Sequence, residues 1–517
     1  MNRNLILAFA LSFLVYIGWF MWAEKNKPVP AKVAAEATSA ANPAVNEIPE
    51  AAATKSLSPM PSAQTAKLDL SPIPFTCGKA EIELNRMGAA ISSFKYNGPV
   101  NQAELVLKPE PGFFATMPGV YFNLAKQEGN IFRFEAELSK GVGIKKTYAF
   151  GENGLGSIEV TVKNSLASAV EIPEWGFNFG PGIGTVESEV KENPKEWKTV
   201  YAYKKEGNKH ATVERIKKTD DTPKGPWLWA GIENRYFLAA LIPDKWPFRD
   251  LKFSEEKTAK EERPSLLAYA NPTVINGGEE KTWTFSFYFG PKDYRTLQAL
   301  GHELDRSVEF GFFSVLGKLA MKVLYFNYGF TKNYGWSIVL LTLLVQLILL
   351  PFTIKSAKSM MLMKKIQPEM QHLQQKYKKD PQRLNQEMFD LYKRHKVNPL
   401  GGCIPMLFQI PVFFALFTAL RNSWSLHGAP WIFWIHDLSS KDPYYILPIL
   451  NGALMFLQQK LTMSSDENNP QMAVLKWMPL IFTFMFLTFP SGLVVYWIIS
   501  SVINIAQQYW MKKTLKA

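Results

Sequence analysis

Cysteine and histidine are scarce in this sequence, which limits the chemistry that it can support. The 517 residues include two cysteines, Cys77 and Cys403, and six histidines. Neither cysteine belongs to a CxxC pair, and the two fall in segments of different character, so we expect no disulfide between them. We interpret both as structural residues and predict no metal site.

Charge is nearly absent from five apolar runs in the last third of the chain, where Arg421 stands at the end of one run. The carboxylates or histidines that a proton-coupled transporter needs at depth are missing. The Ser/His, paired Asp and HExxH arrangements of intramembrane proteases are missing too. The runs, each of which predicts a membrane-spanning helix, cover residues 335–354, 401–421, 444–461, 474–489 and 491–510.

Nucleotide-binding motifs are missing as well. Residues 311–318 (GFFSVLGK) superficially resemble a phosphate loop, but the spacing is one residue too long and Leu319 replaces the Ser/Thr. We therefore predict no cofactor and no direct use of ATP. We also identify no catalytic residues, so we expect that the protein is not an enzyme.

The N-terminus carries a further apolar run, Leu5–Trp22, of 18 residues. That length can cross a hydrocarbon core of about 30 Å. No small-x-small cleavage site follows this run directly. We therefore interpret residues 1–23 as an uncleaved membrane anchor, and a cleavable signal peptide is the alternative. Residues 24–68 are rich in Ala, Pro, Ser and Thr, a composition that predicts a flexible linker.

The region 69–300 has the pattern of a water-soluble β domain. Short alternating runs are separated by Gly, Pro and Asn, for example Ala80–Leu84, Ser157–Val162 and Thr282–Tyr288. Strands of period two between turn residues predict a large β-sandwich.

Residues 303–326 follow with apolar residues at helical spacing, while Lys318 and Lys322 lie off that apolar stripe. The pattern predicts an amphipathic helix that lies in the membrane interface. A helix packed on the sandwich is the alternative.

The distribution of positive charge predicts how the chain crosses the membrane. The net charge is +13, and the segment 355–398 contains 11 Lys or Arg and four acidic residues. The loop 422–443 contains one Lys and two Asp. The positive-inside rule places the first segment in the cytoplasm and the second outside. Six spans, both termini in the cytoplasm and the β domain outside form a consistent topology.

The segment 356–398 is predicted to be a cytoplasmic helical hairpin. Met360–Tyr377 and Pro381–Arg394 both have apolar residues at helical spacing, and Asp380 is a suitable N-cap for the second helix. Pro368 either kinks the first helix or marks its true start. The basic faces are either solvated surface or a contact surface for membrane lipids or ribosomal RNA.

The apolar runs also contain uncharged polar residues, of which Thr342 and Gln346 lie four apart on one helix face. A buried amide without a hydrogen bond costs about 4–8 kcal/mol on a cyclohexane scale, so such groups must face one another or water. They form either interhelical hydrogen bonds or a shared hydrated groove. The others are Gln409, Asn451, Gln458, Gln459, Ser500, Ser501 and Asn504, with Trp497 as a nearby donor.

Several stretches of the last third resemble the signature of the YidC/Oxa/Alb family of membrane protein insertases. They are residues 397–405 (VNPLGGCIP), 409–411 (QIP), 434–438 (WIHDL), 442–448 (DPYYILP) and 489–493 (FPSGL). The resemblance that these stretches carry extends over nearly all of 330–510. The N-terminal span and the large external domain resemble the Gram-negative form of the family, in which that domain is a periplasmic β-supersandwich similar to sugar-mutarotase folds.

The resemblance implies a membrane α-helical bundle of six transmembrane helices in the bacterial inner membrane, with a five-helix insertase core at 330–512. The core would insert and fold membrane proteins through a hydrophilic groove without ATP hydrolysis, alone or with the Sec translocon. Groove-lining positions are matched by Thr342, Gln346, Gln409 and Trp497. A substrate's apolar segment would slide along the third and fifth spans, at Met406, Phe413, Phe417, Met478, Phe482 and Met485. The hairpin would contact the substrate or its targeting machinery through Lys364, Lys365, Lys378, Lys379 and Arg383.

At one groove position the sequence departs from the family. YidC proteins of this type usually place an arginine in the groove on the second span, and Gln346 stands at the matching position. Glutamine keeps the groove polar but removes the positive charge. We hypothesise that hydration of the groove, rather than a fixed charge, is the essential property.

The partners that the resemblance implies are nascent membrane proteins, the Sec translocon, the ribosome, the signal-recognition-particle receptor and the lipid bilayer. Two other functions stay open from the residues alone. One is a carbohydrate-binding or envelope-assembly protein that acts through its β domain. The other is a solute transporter, against which the scarcity of intramembrane charge counts.

Overall fold

The computed structural model describes residues 55–56, 69–172, 174–216, 226–245, 248–257, 261–378, 380–398, 404–462 and 470–514. The predicted anchor over 1–23 lies outside the described residues, as does the predicted linker over 24–68 apart from residues 55–56. Cys403 and Lys379 also lie outside them.

The strands group into four sheets, and every pairing is antiparallel except that of the first strand with the tenth. In chain order the strands are β1 (Lys55–Ser56), β2 (Ile73–Cys77), β3 (Ala80–Asn85), β4 (Ala90–Asn97), β5 (Gln102–Glu104), β6 (Asn123–Glu128), β7 (Ile131–Ser139), β8 (Val142–Phe150), β9 (Leu155–Asn164), β10 (Val170–Ile172), β11 (Gly176–Phe179), β12 (Lys198–Tyr203), β13 (Thr212–Ile216), β14 (Trp229–Glu233), β15 (Phe237–Pro243), β16 (Phe248–Lys257), β17 (Glu262–Ala270), β18 (Thr273–Ile275) and β19 (Glu280–Pro291). The largest sheet has nine strands in the order β13-β12-β14-β15-β19-β9-β8-β7-β6. The smaller sheets are β2-β3-β4-β5, β11-β17-β16 and β1-β10-β18.

One face of the nine-stranded sheet packs against two smaller sheets through aromatic side chains. Strand β19 supplies Phe289, whose ring centroid lies 4.2 Å from that of Phe94 on β4. It also supplies Phe285, 5.0 Å from Phe177 on β11. Residues two apart on a strand face the same side, so the alternating run that predicted this strand also builds the core. The predicted all-β domain is confirmed.

Helices lie mostly after the β domain. They are α1 (Asn193–Glu196), α2 (Tyr294–Leu300), α3 (Ser314–Thr331), α4 (Tyr334–Lys365), α5 (Gln367–Lys376), α6 (Pro381–Arg394), α7 (Ile404–Arg421), α8 (Ile446–Thr462), α9 (Pro470–Phe486) and α10 (Ser491–Thr514), with 3-10 turns at Glu187–Glu189, Leu304–Ser307 and Trp424–Leu426. Among the described residues, α4 is long and apolar enough to cross a membrane, and shorter apolar stretches cover Phe408–Arg421 and Trp477–Phe486. The number of spans stays a prediction.

The helix predicted at 303–326 begins later than expected. Residues 304–307 form a 3-10 turn, and the α-helix starts at Ser314 and runs to Thr331. Glu303 and Gly311 have positive φ angles of 58° and 66°. Both conformations are incompatible with a continuous right-handed helix, so the first half of the predicted helix is broken.

In the basic segment 355–398, two other helix boundaries differ from the prediction. Helix α4 continues past residue 354 to Lys365, because the Ser, Ala, Lys and Met residues that follow the apolar run tolerate a helix well. The predicted helix Met360–Tyr377 is therefore split near Ile366, and Pro368 occupies the first turn of α5 rather than a kink. Helix α6 has the predicted bounds, and the Asp380 carboxylate accepts a hydrogen bond from the Arg383 backbone N–H at 3.1 Å.

The second face of the nine-stranded sheet contacts the helical region, so Trp229 and Tyr288 are buried in the same cluster as Phe310 and Met321. Arg235 fixes this junction. Its Nε and Nη2 atoms donate to the Arg421 carbonyl at the end of α7, at 2.9 and 2.7 Å. Its Nη1 atom lies 2.6 Å from the Glu189 carboxylate.

A buried ion pair lies inside the same junction. Lys292 Nζ is 3.0 Å from Glu233 Oε2, and both side chains are almost fully buried. Burial lowers the pKa of Lys292, and the Glu233 carboxylate opposes that shift. The β domain and the helices are thus joined by buried polar contacts as well as apolar ones.

Candidate functional site

The predicted groove residues lie on helices that face one another. Helix α10 packs against α4 and α8, and more lightly against α7. Thr342 and Gln346 are on α4, Gln409 is on α7 and Trp497 is on α10. All four side chains are buried or half-buried. The helices therefore direct uncharged polar groups inward among themselves.

Gln409 and the α10 helix meet through a hydrogen bond that the sequence did not predict. The Gln409 Nε2 atom donates to the Tyr496 hydroxyl at 2.9 Å, and Tyr496 is fully buried. A buried tyrosine hydroxyl normally needs a partner, but the sequence alone shows neither the burial of Tyr496 nor which residue supplies the partner. The bond links α7 to α10 at the residue next to Trp497.

Trp497 sits in an aromatic cluster that joins three helices. Its ring centroid lies 5.3 Å from Phe413 on α7, and 6.2 and 5.3 Å from Phe482 and Phe486 on α9. Aromatic pairs at such distances add stability beyond the area that they bury. Trp497 therefore packs α7, α9 and α10 together at this level.

The two polar residues of α4 differ in how their hydrogen-bonding groups are satisfied. The Thr342 hydroxyl donates to the Ile338 carbonyl of its own helix at 2.7 Å. The Gln346 side chain is 4% exposed, and its amide makes no hydrogen bond to another described residue. Its amide atoms are not among the fully enclosed polar atoms of the described residues, so the amide faces a small opening between the helices. Gln346 therefore has both its donors and its acceptor left to offer, whereas the donor of Thr342 is used within its own helix and only acceptor capacity remains.

Two more polar side chains are buried near these helices without a full set of partners. Asn451 on α8 is fully buried, and its Oδ1 atom has no partner among the described residues. The Ser500 Oγ atom on α10 is likewise buried and unpartnered within the described part of the chain. Buried polar atoms are normally hydrogen-bonded to protein or to ordered water, so these positions mark a polar interior that the protein alone does not satisfy.

The predicted slide residues are half-buried rather than exposed. Phe413 and Phe417 stack with each other and with Phe489, and Phe482 and Met485 pack against the same buried cluster. Met478 is also half-buried, and the side chain of Met406 lies outside the described ones. The outward apolar surface of α9 is formed instead by Trp477, Leu480, Ile481 and Phe484.

The far end of the bundle, next to the β domain, is closed by a tightly bonded loop. The Asp442 carboxylate is buried and accepts hydrogen bonds from Trp434 Nε1 at 3.0 Å and from the backbone N–H groups of Tyr444 and Leu447 at 3.0 and 2.7 Å. A Cβ atom at Gly335 would overlap the indole of Trp431. The loop therefore packs closely on the start of α4 and fixes the start of α8.

At the opposite end, α5 and α6 pack through Ile366, Leu391 and Val397. The predicted hairpin contact residues Lys364, Lys365, Lys378 and Arg383 are exposed there. The Arg383 guanidinium lies over the Tyr377 ring at 5.6 Å. The end of α4, the turn between α5 and α6 and the start of α6 therefore present a basic surface.

The chain is similar to known proteins over most of its length. Residues 97–323 match the YidC periplasmic domain family, and residues 326–517 match the family of the 60Kd inner membrane protein. The membrane protein insertase YidC of Endomicrobium trichonymphae is 36% identical over 442 residues, which is 83% of each chain. The protein of the same name from Geobacter sulfurreducens is 38% identical over 72% of this chain and 69% of its own. A crystal structure of an active YidC insertase with its first transmembrane domain resolved is 19% identical, with a TM-score of 0.41, over 88% of this chain and 95% of that one.

Proposed function

Since the chain belongs to the YidC family of membrane protein insertases, we propose that it inserts and folds membrane proteins through a hydrated groove among α4, α7, α8 and α10. The protein is an inner-membrane insertase with a periplasmic domain. The finer proposal is that the groove works without ATP hydrolysis, and that the protein acts alone or beside the Sec translocon.

The observation that carries this proposal is the Gln346 side chain on α4, which is 4% exposed and whose amide makes no hydrogen bond to another described residue. An unsatisfied amide in a dry interior is costly, whereas a water molecule beside it removes most of that cost. Asn451 and Ser500 add unpartnered polar atoms on α8 and α10. Water held among these helices would lower the desolvation barrier that a substrate's polar end meets on entering the membrane.

The apolar part of a substrate would leave towards lipid along α7 and α9. Half-buried aromatic and thioether side chains, such as Phe417 and Met485, form an adaptable surface for varied apolar partners. The exposed Ile481 and Phe484 continue it outward. Burial of the substrate's apolar segment in lipid supplies the driving force, so no nucleotide is needed.

The proposed topology follows the charges. The basic segment 355–398, which contains α5 and α6, lies in the cytoplasm under the positive-inside rule, together with both termini, and the Asp442 loop lies on the periplasmic side. There α5 and α6 would contact nascent chains, the ribosome or the signal-recognition-particle receptor. A solute transporter is a weaker candidate, because α4 and α7 to α10 contain no Asp or Glu.

Cysteine labelling tests the hydration of the groove. In a background with Cys77 and Cys403 replaced by alanine, Gln346→Cys should react with a small water-soluble methanethiosulfonate at least about tenfold faster than Leu347→Cys, because only a hydrated thiol forms the reactive thiolate. Leu347 is the matched control, since it is the next residue on α4 and is 66% exposed on the outer face of the bundle. Equal labelling of the two variants would contradict the proposed groove.

A further inference from the structure

A polar cleft lies where the β domain meets the helices, and none of the four groove residues Thr342, Gln346, Gln409 and Trp497 lines it. It has a volume of about 450 Å³ and is bounded by β13, by the segment before α3 and by the end of α7. Clefts of roughly 300–1,000 Å³ hold small ligands in other proteins. The Thr418 hydroxyl donates to the Phe310 carbonyl at 2.9 Å, and the Asn422 amide donates to the Glu309 carbonyl at 3.0 Å, so the walls are held together.

The lining of the cleft has an excess of positive charge. Four cationic side chains, Arg215, Arg306, Lys318 and Arg421, face two carboxylates, Glu196 and Glu309. The carboxylates are already engaged, because Glu196 pairs with Arg421 at 2.8 Å and Glu309 pairs with Arg215.

Of the four cations that line the cleft, Lys318 is the one without a carboxylate partner in the part of the chain that the structure describes. It has no carboxylate partner among the described residues, and its Nζ atom lies 5.8 Å from the centroid of the Phe310 ring. Arg306, by comparison, is paired with Glu303 at 3.1 Å. An anion bound in the cleft would therefore meet the Lys318 ammonium group, which no carboxylate of the described residues neutralises.

An exposed apolar stripe runs along the same helix that supplies Lys318. Phe312 and Val315 are 84% and 79% exposed at its start, and Phe330 is 76% exposed at its end. Leu319 lies next to Lys318 in the chain and is also exposed. A cationic cleft beside an exposed apolar stripe complements a molecule with an anionic head and apolar chains.

We propose that this cleft binds the phosphate of an anionic phospholipid of the outer leaflet, with Lys318 as the principal contact and the acyl chains along the exposed stripe of α3. The proposal rests on the topology proposed above, which places α3 and the end of α7 at the periplasmic surface of the bilayer. A bound lipid would hold α3 at that surface and complete the junction between the β domain and the bundle.

Native mass spectrometry of the full chain in detergent tests this proposal. The wild-type protein, Lys318→Gln and Lys322→Gln are each titrated with dioleoyl phosphatidylglycerol, with dioleoyl phosphatidylcholine and with glycerol 3-phosphate. Lys322 is the matched control, because it lies one turn further along α3, is exposed and does not line the cleft. Loss of one lysine contact should weaken binding of phosphatidylglycerol about fivefold in Lys318→Gln and leave it unchanged in Lys322→Gln.

Three results would overturn the proposal. Equal losses of phosphatidylglycerol affinity in the two lysine variants would mean that the general positive charge of the surface attracts the lipid. Equal affinity of the wild-type protein for the two lipids would mean that the cleft does not select an anionic head. Full displacement of the lipid by glycerol 3-phosphate would identify a site for soluble phosphates. Insertion activity is measured separately. A protein that inserts substrates but gives one of these three results would contradict the lipid site and leave the proposed function unaffected.

Discussion

Gln346→Leu is expected to lower the insertion of substrates with polar or charged ends by about tenfold or more, which corresponds to about 1.4 kcal/mol on the barrier. The substitution retains side-chain volume at a buried position, so the helices should still pack. It removes the amide that makes no hydrogen bond to another described residue. The polar end of a substrate would then cross a drier interior and lose more of its hydration. Insertion into liposomes, scored by protease protection, measures the effect.

Thr342→Val is the matched control for this experiment. It removes a polar group one helical turn away, but the Thr342 hydroxyl is already bonded to the Ile338 carbonyl. Insertion should therefore fall much less than in Gln346→Leu. Similar losses in the two variants would contradict the role that we give to the unpartnered amide.

Gln346→Arg separates hydration from charge at the same position. If hydration is the essential property, the arginine should change the range of substrates modestly. A large gain in the insertion of all substrates would overturn that hypothesis and show that a fixed positive charge is missing from this groove.

Asp442→Ala should cause a large loss of stability, about 3 kcal/mol or more. The buried carboxylate accepts three hydrogen bonds, which hold the Trp434 indole, the Tyr444 N–H group just before α8 and the Leu447 N–H group in its first turn. Hydrogen bonds to a charged group are worth about 1.5–3 kcal/mol each, and the N–H group of the buried Leu447 would be left without this acceptor. Unfolding of the full chain in detergent, followed by the loss of tryptophan fluorescence, measures the change.

Two variants show whether that loss comes from the hydrogen bonds. Asp442→Asn keeps one acceptor oxygen and the shape of the side chain. Its stability should therefore lie between that of the wild-type protein and that of Asp442→Ala. Lys441→Ala changes the preceding exposed residue and should leave stability unchanged. A loss in Lys441→Ala as large as in Asp442→Ala would mean that the loop is sensitive to any substitution.

Local patterns in the sequence were enough to predict much of the secondary structure. The alternation in Thr282–Tyr288 lies within β19, and Asp380 caps α6 as expected. The ends of the helices were harder to predict, because the length of an apolar run is not the only determinant of where a helix begins or ends. Helix α4 continues through Lys358 because polar residues also support helices, and the start of α3 depends on the backbone conformation at Gly311.

Contacts between distant residues could not be predicted from a single sequence. Gln409 and Trp497 were identified from polarity and from the family resemblance, whereas the bond from Gln409 to Tyr496 joins residues 87 positions apart. Arg235 meets the Arg421 carbonyl across 186 positions, and no local spacing encodes that contact. The excess charge around Lys318 depends on three separate segments, so it became visible only in the folded chain.

Insertion by the purified full chain alone, in liposomes without ATP or the Sec translocon, tests the central claim most directly. The substrate is a small two-span membrane protein, and protection from added protease is compared with that in empty liposomes. The account predicts protection clearly above the empty-liposome level. Protection no greater than that level, from a protein whose fold is confirmed by its unfolding transition, would contradict autonomous insertion through the groove and leave a chaperone role beside the Sec translocon.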